Sequence, residues 1–117
     1  MNWYLAIRRM AEPRASWHDL LPDHFAWLKD NHDTGTIIMS GPGSMSGPGS
    51  MSGPEVMSRP GAEPSLGIYV MRAPSVAEAT RIVQADPLLQ SPGATVEVIE
   101  WQVHQIMGVG AFDAGTR

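Results

Sequence analysis

The chain has no cysteine. That excludes disulfides, a thiolate nucleophile and thiolate ligation of a metal, so packing alone must hold the fold. Basic residues are also scarce: 8 Lys and Arg against 12 Asp and Glu leave a net charge of −4. Nucleic-acid affinity draws largely on cations that neutralise phosphates, and these few are spread along the chain, so no nucleic-acid partner is expected. No apolar run approaches the roughly 20 residues needed to cross a bilayer. The first residues, Trp3-Tyr4-Leu5-Ala6-Ile7, read as a strand and not as a basic and apolar signal sequence. The expectation is a cytoplasmic protein with no membrane partner.

What remains is one domain over residues 1–117, because 117 residues with 43% hydrophobic content suffice for one core but are short for two. Its middle is repetitive. Met39-Ser40-Gly41-Pro42-Gly43-Ser44 is followed by Met45-Ser46-Gly47-Pro48-Gly49-Ser50 and then by Met51-Ser52-Gly53-Pro54. Glycine loses much backbone entropy on ordering and proline removes a ladder donor, so a long loop is expected from about 43 to 65. Such a run is either a lid or a disordered insertion, and this composition points to disorder. A flexible tail is expected from about 108.

Outside the repeat the periodicities give a βαββαβ order. Trp3, Leu5 and Ile7 alternate with Tyr4, Ala6 and Arg8, the period-two pattern of a half-buried strand. A helix should run from about 20 to 33, with Leu21, Phe25, Leu28 and His32 on one face, Asp19 as a cap, Pro22 in the first turn and Gly35 as a left-handed stop. Thr36 to Ser40 and Gly67 to Arg72 read as strands. Ser75-Val76-Ala77-Glu78 is a capping box that opens a second helix, which should end at Asp86 before Pro87 and bury Val76, Ala79, Ile82 and Val83. The last strand, from about Thr95 to His104, changes phase between Val96, Val98 and Ile99, Trp101, Val103. A β-bulge near Val98 and Ile99, or burial on opposite faces at different points, would account for it.

Two helices on a four-stranded antiparallel sheet make an α+β, ferredoxin-like sandwich with one sheet face uncovered. Both alternating sets of the first strand and both phases of the last carry large apolar groups, more than one helical layer buries. A two-fold dimer closing a dimeric α/β barrel, with a pocket between sheet and helix, is the expected assembly.

Three separated fragments carry the chemical signal: Leu21-Pro22-Asp23-His24-Phe25-Ala26-Trp27-Leu28-Lys29, then Ser40-Gly41-Pro42, then Ala85-Asp86-Pro87. By themselves, His24 reads as a half-exposed helix histidine and Asp86 as a helix-stop aspartate. In this order, however, the fragments resemble the YCII family, small proteins related in fold to muconolactone isomerase. The resemblance covers most of the chain apart from the repeat and the tail. It implies that His24 and Asp86 face one pocket as an acid-base dyad, the carboxylate fixing the imidazole tautomer while the other ring nitrogen moves a proton. The alternative makes Asp86 the base and His24 an oxyanion binder. Ser40, Trp27, Arg8 and Tyr69 are the expected substrate-binding residues. Arg8 and Arg9 finish the first strand and could meet an anionic substrate near the barrel mouth, although from the residues alone solvated charges at a strand end are the favoured reading. Family members often have an aromatic residue after Asp-Pro where Leu88 and Leu89 stand here, which leaves either a missing substrate contact or a greasier pocket.

The expected function is thus a cofactor-independent enzyme that moves a proton on a small, cyclic or aromatic metabolite in an isomerase, lyase or hydrolase-type step, dehydrohalogenation included. A non-catalytic protein of the same fold that binds a small ligand is the alternative, and an interaction module acting through the Met-rich repeat a third reading. No metal is expected, because His18, His32 and His104 form no ligand spacing with carboxylate support. His104 reads as structural or interfacial. The glycines of the repeat do not cradle a phosphate, since they neither follow the P-loop pattern nor open a helix.

Overall fold

The computed structural model describes residues 1–43, 66–106 and 110–111. The repeat beyond Gly43 and the tail apart from residues 110–111 lie outside these described residues, as do the expectations of a loop and a flexible end. In chain order the elements are β1 (Asn2–Arg9), a one-turn helix α1 (Arg14–Trp17), a 3-10 turn (His18–Leu20), α2 (Leu21–Asp33), β2 (Ile37–Gly43) and β3 (Leu66–Ala73). Then follow α3 (Val76–Gln84), a second 3-10 turn (Pro87–Gln90) and β4 (Thr95–Trp101), with a short backbone pairing of β5 (Gln105–Ile106) and β6 (Gly110–Ala111) outside the main sheet. No described helix is long and apolar enough to cross a membrane.

The four long strands pair antiparallel in the order β2-β3-β1-β4, with α2 and α3 packed on one face, which is the ferredoxin-like α+β sandwich expected from the pattern. Pleating sorts β1 by parity. Tyr4, Ala6 and Arg8 point to the helices and are buried, while Trp3, Leu5 and Ile7 stay half-buried on the open face. The core joins Tyr4 and Ala6 to Ile37 of β2, Tyr69, Met71 and Ala73 of β3, and Ala79 and Val83 of α3, with Trp27 and Leu28 of α2 closing its side. Met10, Trp17 and Leu88 form a smaller cluster beneath α1.

Several element boundaries differ from the sequence pattern for local reasons. β4 ends at Trp101, not His104, and pairs with β1 in unbroken register from Thr95 to Trp101, so no bulge exists at Val98 and Ile99. The phase change is burial on opposite faces: Val96 and Val98 pack on the core, whereas Ile99 and Trp101 lie on the open face. The bulge is instead in β2, between Ile37 and Met39. α3 stops at Gln84, two residues short, because Asp86 takes an extended conformation ahead of Pro87. Its Ser75 cap holds through the Glu78 amide at 3.2 Å, but the Glu78 carboxylate turns to Arg81 and leaves the box half made, and Val76 is exposed. In α2 the buried residue is His24 while Phe25 stays largely exposed, a rotation of the expected face. No side chain caps its start, so Asp19 plays no such part, while Pro22 occupies the first turn and Gly35 the left-handed stop at φ 75°.

Candidate active site

Arg8 stands on the helix-facing side of β1, where the strand's alternation buries it to 6% exposure. A guanidinium fits there because its cross-strand neighbour on β3 is Gly67. A Cβ at position 67 would lie 2.5 Å from Arg8 Cζ, so the guanidinium holds this position because residue 67 is a glycine, and a side chain there would displace it. Arg8 Nη1 donates to the Tyr69 hydroxyl and, at 3.4 Å, to Asp86 Oδ2.

Asp86 is the hub of the site. Its backbone leaves α3 ahead of Pro87, which aims the carboxylate back under α2, and Oδ1 caps the following turn by accepting from Leu88 N–H at 3.0 Å. Oδ1 also accepts from His24 Nδ1 at 2.7 Å, and Oδ2 accepts from the Tyr69 hydroxyl as well as from Arg8. A carboxylate offers about four acceptor positions, and four donors take them. That is how a charge at 2% exposure is tolerated inside the fold. Burial pushes the Asp86 carboxyl up, but hydrogen bonds from His24, Tyr69 and the Leu88 amide outweigh it and hold the group below its ordinary value. Burial, followed by the charge of Asp86, pushes the Tyr69 hydroxyl well above the usual tyrosine range, with Arg8 opposing.

An ionised Asp86 accepts only, so His24 donates from Nδ1 and a neutral imidazole carries its lone pair on Nε2. Nε2 has no hydrogen-bond partner among the described residues. The ring is 5% exposed, stacks on Trp27 at 6.0 Å between centroids and lines a cavity of about 320 Å³. Arg8, His24 and Tyr69 form the polar end of that cavity. Trp17, Leu21, Phe25, Leu28, Leu66 and Leu88 supply apolar wall, Ser40-Gly41-Pro42 of β2 borders it, and the exposed Arg14 of α1 completes the lining. The arrangement places a proton acceptor with a buried counter-charge against a mostly apolar chamber. Among the described residues no three His, Asp or Glu side chains converge to hold a metal ion.

The structure brings together His24, Asp86, Arg8 and Tyr69. Arg8 is no solvated strand end, as Arg9 is with its exposed pairing to Glu97. Ser40 borders the cavity, but its hydroxyl engages His32 Nε2 at 2.9 Å and not Asp86. Trp27 does not line the cavity; it stands behind His24 and meets the Tyr69 ring edge-on at 5.6 Å. Arg14, Trp17 and Gly67 were not singled out by sequence reasoning. The parity of β1 carried a signal for the buried Arg8 and hence for a small partner across from it. α1 falls in a stretch with no periodicity, so Arg14 and Trp17 had none.

Residues 1–102 match the YCII-related domain family. Among solved structures the fold is similar to that of a 5-chloro-2-hydroxyhydroquinone dehydrochlorinase from Burkholderia phenoliruptrix AC1100, in complex with 2,5-dihydroxybenzoquinone. The TM-score is 0.63 at 18% identity, over 86% of this chain and 94% of that one. No protein of curated function matches the chain in sequence.

Proposed function

The chain belongs to the YCII-related domain family, and on that premise we propose that it is a cofactor-independent enzyme in which His24 moves a proton on a small cyclic or aromatic substrate. The observation that carries this reading is the 2.7 Å contact between His24 Nδ1 and Asp86 Oδ1, which leaves Nε2 without a hydrogen-bond partner among the described residues in a mostly apolar cavity. Nε2 takes the proton, and Asp86 stabilises the imidazolium that forms. The same nitrogen returns the proton to another atom in an isomerisation, or to the medium after loss of a leaving group in an elimination such as dehydrohalogenation. Asp86 as the base fits less well, because its acceptor positions are filled and its carboxyl is held low.

The experiment screens ring compounds by thermal shift, starting with 2,5-dihydroxybenzoquinone and chlorinated hydroquinones, and then measures turnover of those that bind. His24→Asn keeps a donor near the Nδ1 position and removes Nε2, so it should lower turnover about 10²-fold or more with little change in melting temperature. Wild-type turnover in His24→Asn would remove the assignment. Binding without conversion by the wild type would favour the second reading, a non-catalytic carrier of small ligands.

The same proposal includes a homodimer in the cytoplasm. Trp101 at 44% and Ile99 at 43% exposure lie beside Trp3, Leu5 and Ile7 on the face the helices leave open, and a second sheet packed there would cover them.

A further inference from the structure

The described walls of the cavity are charged in one sense only. The buried Arg8 and the exposed Arg14 both line it, and no Asp or Glu is among the described residues that do. Asp86 sits behind the lining and is already engaged by four donors, of which Arg8 is one. Arg8 also has capacity to spare: its bonds all run from Nη1, and its buried Nε has no partner. Arg14 has no carboxylate partner among the described residues. Its guanidinium lies 6.0 Å from the ring centroid of Trp17, a buried side chain that lines the same cavity. The aromatic face thus holds a cation at the edge of an apolar chamber without neutralising it.

We propose that the cavity selects a small organic anion, with Arg14 as the residue that reads an ionised oxygen, a carboxylate or an acidic ring hydroxyl, on the part of the molecule remote from His24. The inference deepens the acid-base reading by naming its substrate class, and it rests on that reading only for the word substrate. An apolar chamber walled by guanidinium groups favours an ionised ligand over its neutral counterpart, because charge-assisted hydrogen bonds to Arg gain strength where water is partly excluded. A ring bearing an anionic oxygen answers both features at once, the apolar flanks taking the ring and Arg14 the charge.

Isothermal titration of the full chain with 2,5-dihydroxybenzoate and with the neutral 2,5-dihydroxybenzamide tests this without any need for turnover. Wild type should bind the benzoate about tenfold or more tightly than the benzamide, with the gap narrowing as ionic strength rises. Arg14→Gln should remove most of the preference by weakening the benzoate and leaving the benzamide near its wild-type affinity, and Arg14→Lys should restore part of it. Equal affinities in wild type, no binding of either probe, or an Arg14→Gln variant that loses both probes equally would each overturn the proposal. The last outcome would mean that Arg14 only braces Trp17. None of these bears on His24, whose test is turnover in His24→Asn, so the two readings fail separately.

Discussion

Asp86 shows how one residue can set both stability and chemistry. Its folded carboxyl is held below the value of 3.8 expected for the free group, so it contributes stability that is present above that value and lost as pH falls through the folded pKa. Tyr69 acts at the other end. Its hydroxyl is raised above 10.0, so its contribution is intact below about pH 10 and lost as pH climbs toward the folded pKa. Urea midpoints measured against pH should therefore form a plateau that drops on the acid side below about pH 4 and on the alkaline side above about pH 10. Asp86→Asn should lower the plateau by about 3–5 kcal/mol, the scale for removing one member of a buried ion pair, because the amide turns a donor toward Tyr69 or Arg8. It should also flatten the acid limb. His24 and Asp86 were legible in the sequence through the order of three fragments, although neither stands out alone. The burial of Arg8 was less visible, since a strand-end arginine is ordinarily solvated, and what seats it is the missing side chain of Gly67 on another strand.

Among the elements, those with a strong period were readable and those set by tertiary contact were not. β1 and α3 carry their own instructions, an alternating strand and a helix opened by Ser75. Ser75→Ala should cost about 1 kcal/mol in chemical denaturation, because the Glu78 amide loses its only side-chain acceptor while the Glu78 carboxylate is already committed to Arg81. α2 was found, but its face was misjudged: a pattern of hydrophobicity points Phe25 inward, and the buried carboxylate of Asp86 draws His24 there instead. β4 left a bulge and burial on opposite faces both open, and the second holds: both of its faces are apolar, and periodicity alone does not choose between the two accounts.

At the scale of the molecule, the proposed dimer rests on the open face of the sheet. Ile99→Glu places a charge opposite Leu5 on that face, so sedimentation should show a shift from dimer to monomer at micromolar concentration with the circular dichroism of the fold retained. An unchanged mass for wild type and variant would refute the dimer placed there. The donors that meet at Asp86 have a further consequence for how the chain acquires its activity. Arg8 and His24 join it across 78 and 62 residues of sequence, and Arg8 reaches Tyr69 across 61. Closing such separations loses chain entropy before any contact repays it, so these pairings are expected to form late in folding. Tyr69 and the Leu88 amide reach Asp86 from within the second half of the chain, and Arg8 and His24 of the first half must dock onto them to complete the site. On the proposed function, recovery of activity after dilution from denaturant should follow the docking of Arg8 and His24 onto Asp86 and lag behind the recovery of helical circular dichroism.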